Sequence, residues 1–189
     1  VDGKTMVATI EGAQDITRAA FAENKNDAGK ADKRTLVWTA GDSYKVYGEL
    51  ASADKYTLQN AYAGKASGKF DLMTEDYNTE PAFAVFPYDD VEADRASKKL
   101  TVKLNEWTYG TADVKDEGYN QGGFKSVVPM YGQIAEDGNV AFGYMTAILR
   151  VDLQKLPKKM TRLIIVTDRP LKGTFEAEFD PADKTSYPE

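Results

Sequence analysis

Four carboxylates set close together, Asp89, Asp90, Glu92 and Asp94, are the first residues in this sequence whose types and spacing could do chemistry. Carboxylate oxygens in a loop can gather around calcium, a hard cation that takes about 6–8 oxygen ligands. The spacing is not that of an EF-hand loop, and a solvated acidic turn after Pro87 is the plain alternative. Asp113, Asp116 and Glu117 are open to the same two readings. Two acids held roughly 5–9.5 Å apart across a cleft would suit glycoside hydrolysis. With 30 acidic residues in the chain, chance pairings abound and no pair is singled out. Near the second acidic set stand Trp107, Tyr109, Tyr119 and Phe124, in a stretch rich in glycine, aspartate and asparagine. Aromatic rings carry large contact area with few torsions, so they could stack on sugar rings or anchor a partner protein. Trp107, Tyr109 and Tyr119 are therefore candidate ligand-contact residues; the alternative is that this loop folds back and its rings cover the end of the fold.

Other chemistry is excluded by composition. The 189 residues include no histidine and no cysteine. That removes the imidazole most zinc sites and nucleophile triads use, along with thiolate ligands, cysteine nucleophiles and disulfides. Gly41-Asp42 and Gly122-Gly123 are turn glycines, because no Lys-Ser/Thr and no helix follows them as a phosphate loop requires. The net charge is -6, and no basic block exceeds the pairs Lys98-Lys99 and Lys158-Lys159. Nucleic acid and anionic membrane surfaces are repelled by such a chain. No run of ~18 apolar residues exists to span a membrane. Val1-Asp2-Gly3-Lys4 is not a signal peptide, so an exported protein would be present here in a mature or trimmed form. No enzyme activity, cofactor or resident metal is expected.

The elements that must position these residues are strands. Ala147, Leu149, Val151 and Leu153 alternate with Thr146, Arg150 and Asp152, the period-two pattern of a half-buried strand. Leu163 to Val166 is an unbroken apolar run expected to be a central strand, and Phe175, Ala177 and Phe179 alternate with Thr174, Glu176 and Glu178. With short turns between them, the three predict an antiparallel meander. Earlier in the chain, Met6, Ala8 and Ile10 alternate with Thr5, Val7 and Thr9, a short strand that could lie on an edge. Thr17 to Phe21 is a weaker segment, and Ala22 to Arg34 reads as an exposed loop. Thr35–Thr39, the turn Ala40-Gly41-Asp42 and Ser43–Tyr47 read as a hairpin, as do Tyr56–Leu58 and Gly68–Leu72 about Ala63–Ser67. Ala82–Phe86 is apolar on both faces and stops at Pro87, which marks a second central strand. Leu100, Val102 and Leu104 turn lysines to water, Val127–Gly132 is extended, and Asp137-Gly138 closes a hairpin into Val140–Tyr144. No segment has a capped helical stripe. Residues 1–180 thus predict one all-β domain, an antiparallel β-sandwich or an open barrel with long loops, and residues 181–189 a linker or tail.

Several phrases in succession resemble the fimbrillin family of Bacteroidales, the Mfa-like proteins that form subunits or tips of type V pili. They are Thr17-Arg18-Ala19, Val37–Asp42 leading into Tyr44–Gly48, Phe83–Asp89, Val128–Gly132 and Phe142–Leu153. The resemblance runs from about Ala8 to Phe179 and its specificity lies in the order and spacing of the phrases. It implies a transthyretin-like, Greek-key β-sandwich as the N-terminal domain of an exported lipoprotein adhesin or pilin at the outer membrane. Its partners would be other pilus subunits joined by strand exchange, and a host or bacterial surface protein or glycan.

In proteins of that kind a protease with arginine specificity cuts after the first strand. Removing a strand leaves unpaired N–H and C=O groups flanked by apolar pockets, which an extended segment of another subunit refills. Arg18 and Arg34 lie between the first strand and Trp38, and are the candidate processing sites, Arg34 in the more solvent-like context and each also readable as an ordinary surface residue. The alternative reading, from a different class, is a carbohydrate-binding module of an outer-surface glycan-capture protein that stacks sugars on Trp107, Tyr109 and Tyr119.

Overall fold

A strand that is apolar on both faces needs cover on both, and Phe83–Phe86 has it: all four residues are buried, with Ala84 and Phe86 facing one core and Phe83 and Val85 another. The computed structural model of the chain describes residues 4–11, 20–25, 31–104, 128–146, 164–183 and 188, with residues 20–25 and 31–36 described through their backbone. In chain order the strands are β1 (Thr5–Ile10), β2 (Ala20–Lys25), β3 (Ala31–Val37), β4 (Ser43–Tyr47), β5 (Asp54–Leu58) and β6 (Ser67–Leu72). They continue with β7 (Phe83–Phe86), β8 (Val91–Asp94), β9 (Lys99–Leu104), β10 (Met130–Gln133), β11 (Val140–Tyr144) and β12 (Gly173–Glu178). A short 3-10 turn, Asn60–Tyr62, is the one helical element among the described residues.

The fold is all-β, as expected, but its layers are arranged differently from two open sheets face to face. Seven strands close into a barrel in the order β1-β11-β10-β7-β4-β5-β6, and a three-stranded sheet, β12-β9-β8, lies outside it. Closure comes from β1, which pairs antiparallel with β6 and parallel with β11. The edge position expected for this strand is therefore corrected. A run whose alternate residues Met6, Ala8 and Ile10 are all buried is stabilised most where both its backbone edges are also satisfied. The parallel pair likewise departs from a purely antiparallel sheet.

Successive side chains on β4, β7 and β10 alternate between two cores. Tyr44, Val46, Phe86 and Met130 point inward, to a core with Trp38, Phe70 and Phe142 at its centre. Tyr47, Phe83, Val85 and Tyr131 point outward and are covered by Val91, Leu100 and Val102 of the three-stranded sheet and by Phe179. The lysine-out pattern of Lys99–Leu104, the Asp137-Gly138 hairpin, the β5–β6 hairpin and the Phe175/Ala177/Phe179 strand stand as expected.

Four other expectations are corrected. Ala40-Gly41-Asp42 is a turn, held by bonds from the Thr39 N–H and hydroxyl to the Asp42 carboxylate at 2.7 Å each and by Gly41 at φ 87°. It does not join a hairpin: β4 pairs with β5 and β7, while the Trp38 backbone bonds to Gly64 and Lys65. The stretch Ala22–Arg34 is not an open loop, since most of it lies in β2 and β3, which pair antiparallel. Ile164, Ile165 and Val166 are not a central strand; they are 69, 45 and 88% exposed and lie outside any sheet. An apolar run supplies side chains for burial but no hydrogen-bonding neighbour, and β12 takes its neighbour from β9, roughly 75 residues away. The expected meander is therefore absent among the described residues, and its first strand, Ala147–Leu153, lies outside them.

Candidate functional site: the β1 seam

The barrel is closed by a short, contiguous segment, and the residues that hold it make the most specific arrangement in the molecule. Along β6 the register runs Thr5↔Asp71, Met6↔Phe70, Ala8↔Gly68 and Thr9↔Ser67; along β11 it runs Ala8↔Val140 and Ile10↔Phe142. At its ends the Leu72 N–H donates to the Lys4 carbonyl at 2.9 Å, the Ile10 N–H to Ala66 at 3.1 Å and the Glu11 N–H to Phe142 at 2.8 Å. On the outer face the Thr5 hydroxyl bonds the Asp71 carboxylate at 3.2 Å and Thr9 bonds Ser67 at 2.9 Å. The inward positions, Met6, Ala8 and Ile10, are all apolar, and of the outward ones Thr5 and Thr9 are polar and Val7 apolar.

The centre of the seam is built on small residues. Ala8 is fully buried, and opposite it stands Gly68, where an added Cβ would lie 2.7 Å from Leu58 Cδ1, 3.2 Å from Tyr62 Cβ and 3.3 Å from Trp38 Cδ1. Trp38 Nε1–H donates to the Ala8 carbonyl at 3.2 Å. The buried indole thereby satisfies its only donor on the strand it packs against. Its ring meets Phe70, Phe86 and Phe142 edge-on at 5.0, 5.4 and 5.8 Å between centroids. Removing β1 would leave a groove between β6 and β11, floored by these rings and lined with backbone donors and acceptors.

A second constellation ties the outer sheet to the barrel. Lys45, on β4, is buried; its ammonium donates to the Val91 carbonyl at 3.2 Å and forms a close ion pair with Glu92. The Tyr47 hydroxyl donates to the other Glu92 oxygen at 2.8 Å and accepts from the Ala93 N–H at 3.1 Å. Partial burial raises the Glu92 pKa, but the bonds from Lys45 and Tyr47 outweigh it and hold the carboxyl below its usual value. The Tyr88 ring stands 4.9 Å from the Lys45 ammonium and 4.5 Å from that of Lys55. This charge is anchored on both sides, as a buried ammonium must be.

Two of the four sequence-predicted acids are engaged elsewhere by these and neighbouring bonds. Glu92 is engaged by Lys45, and Asp94 accepts from the Ala96 and Ser97 N–H groups in the β8–β9 turn. Among the described residues no three of Asp, Glu, His or Cys converge as a metal site would need. Arg34 lies within β3, opposite Glu23 of β2, whereas Arg18 lies outside the described residues. Trp107, Tyr109, Tyr119 and Phe124, with Asp113, Asp116 and Glu117, also lie outside them.

Sequence reasoning missed Ala8, Trp38 and Gly68 as a unit. The available signal was a small residue centred in the alternation Met6-Val7-Ala8-Thr9-Ile10, and a glycine inside the Ser67–Leu72 strand, a position that often marks close approach of another backbone. No protein-family model, no curated protein and no solved structure matches the chain.

Proposed function

We propose that the chain is a non-catalytic subunit of an exported fimbrial or adhesive assembly at the cell surface, joined to its neighbours by β-strand addition once proteolysis has removed its first strand. The observation that supports this reading is the position of β1: one short segment, bonded on both edges and burying Met6, Ala8 and Ile10, completes an otherwise open barrel. Its loss exposes two strand edges and an apolar floor together, the surface that an extended segment of another chain is suited to cover. The transthyretin-like sandwich implied by the resemblance is the finer fold that belongs with this proposal. The three-stranded sheet over β4, β7 and β10 would serve as its second layer.

Of the two candidate processing sites the proposal favours Arg18. Of the described strands a cut there separates only β1, whereas a cut at Arg34 also removes β2 and splits β3, and needs a paired strand to open first. The test is digestion of the chain with an arginine-specific protease, with products identified by mass and assembly followed by native electrophoresis. Expected are loss of residues 1–18, appearance of oligomers, and suppression of those oligomers by a peptide of residues 5–12. A cleaved chain that stays monomeric and binds no such peptide overturns the proposal.

A further inference from the structure

Resting on the strand-addition reading above, we infer that the seam selects its incoming strand by a five-residue pattern: large apolar, free, alanine or glycine, free, large apolar. The partner is an extended segment of a neighbouring subunit that carries this pattern and runs in the direction of β1. The selecting residues are Gly68 and Trp38. Gly68 has no side chain because Leu58, Tyr62 and Trp38 already occupy the space beside it. The strand opposite must therefore bring a small residue to that level, and β1 brings Ala8, fully buried. Two residues to either side, Met6 and Ile10 are 4% and 2% exposed against the Phe70 and Phe142 levels of β6 and β11, where large apolar groups are needed to fill the barrel. The intervening positions, Val7 and Thr9, face outward and place no such demand.

The pattern discriminates among segments of this chain itself. Leu163-Ile164-Ile165-Val166 contains the most exposed apolar residues described, yet no small residue interrupts it, so it is rejected in every register. Phe175-Glu176-Ala177-Glu178-Phe179 carries the pattern and is accepted when offered as a free peptide, although in the folded chain β12 is held by β9. Apolarity alone therefore does not decide which strand enters; the size of the central side chain does.

The test uses the full chain with a site-specific protease sequence inserted after Gly12, cleaved so that β1 stays bound until exchanged by labelled peptides. Peptides of residues 4–11, its Ala8→Gly form and residues 173–181 are expected to displace β1. The Ala8→Leu form and residues 161–168 are expected to be at least ~10-fold weaker, the effect of overfilling a close-packed site. An Ala8→Leu peptide that competes as well as the native one overturns the inference. Failure of every peptide to exchange overturns strand addition instead. The size selection then rests on a measurement in the uncut chain, where Ala8→Val should lower the thermal midpoint by several degrees more than Val7→Leu. Equal shifts overturn it.

Discussion

The inner and outer faces of β4, β7 and β10 carry comparable aromatic cores, but they are covered in different ways. Inside, the barrel wall itself supplies cover: every barrel strand is bonded on both sides, and Trp38 and Tyr44 each meet Phe70 and Phe142 at 4.7 to 5.8 Å between centroids. Outside, Tyr47, Phe83 and Tyr131 are stacked in sequence at 5.1 and 5.6 Å, and the separate three-stranded sheet β12-β9-β8 covers them. That cover is held by Lys45, Tyr47 and Glu92 as well as by apolar contact. The difference lies in what keeps each core closed: the inner one depends on β1, bonded to both β6 and β11, whereas the outer one depends on a polar anchor that should respond to charge.

The largest effect expected is at Trp38. Trp38→Ala deletes the centre of the inner core and the donor to the Ala8 carbonyl, and should lower stability by ~3–5 kcal/mol in denaturant unfolding. Hydrogen exchange should show β1 amides losing protection first; equal loss at β9 and β12 would break the distinction between the two cores. Next comes Gly132. A Cβ there would stand 2.6 Å from the Ala141 carbonyl oxygen, a backbone atom that cannot swing away, so Gly132→Ala should lower stability by ~1–3 kcal/mol. Gly64→Ala meets no atom within 4 Å and should pay only for its φ of 83°, ~1 kcal/mol. Smaller again is Glu92→Gln, which keeps an acceptor for Tyr47 but leaves the buried Lys45 ammonium without its counter-charge. Because the Glu92 side chain is 58% exposed, screening limits the loss to roughly 0.5 kcal/mol, read as faster exchange in β8 and β9 with β1 unchanged.

These contrasts also mark what the sequence made legible. Alternation found β1, β9 and β12, the Asp137-Gly138 turn found β11, and the unbroken apolar run found β7, because each signal is written within a few residues. Pairing was less legible. Nothing local in Met6–Ile10 says that β6 and β11 flank it, and Leu163–Val166 has a stronger strand pattern than β12 yet Ile164–Val166 lies outside the sheets. The candidate site was half visible for the same reason. The first strand could be read from its pattern, but Gly68 gains its meaning from Trp38 and Ala8, each about 30 or more residues distant. Lys45 and Glu92 read as two ordinary surface charges until β8 is laid across β4.

The smallest effect sharpens the comparison at a third place, where the chain leaves the outer face of β4. Desolvation pushes the Glu49 pKa up, but N–H groups of Thr79, Glu80 and its own backbone and the Thr79 hydroxyl bond its carboxylate and together outweigh it, carrying the pKa from 4.5 down to about 2. A folded-state value below the unfolded one contributes stability that is present above the unfolded pKa and lost as pH falls through the folded pKa. The contribution from Glu49 is thus complete above about pH 4.5 and fades toward pH 2. Thermal midpoints of the native chain and Glu49→Gln should differ at neutral pH and converge across that window. The Glu92→Gln difference should also shrink on acidification, since Glu92 is likewise held below its usual value. The Trp38→Ala difference should persist through the same range, because no titrating group supplies it; convergence there would mean that the inner core, too, is held by charge.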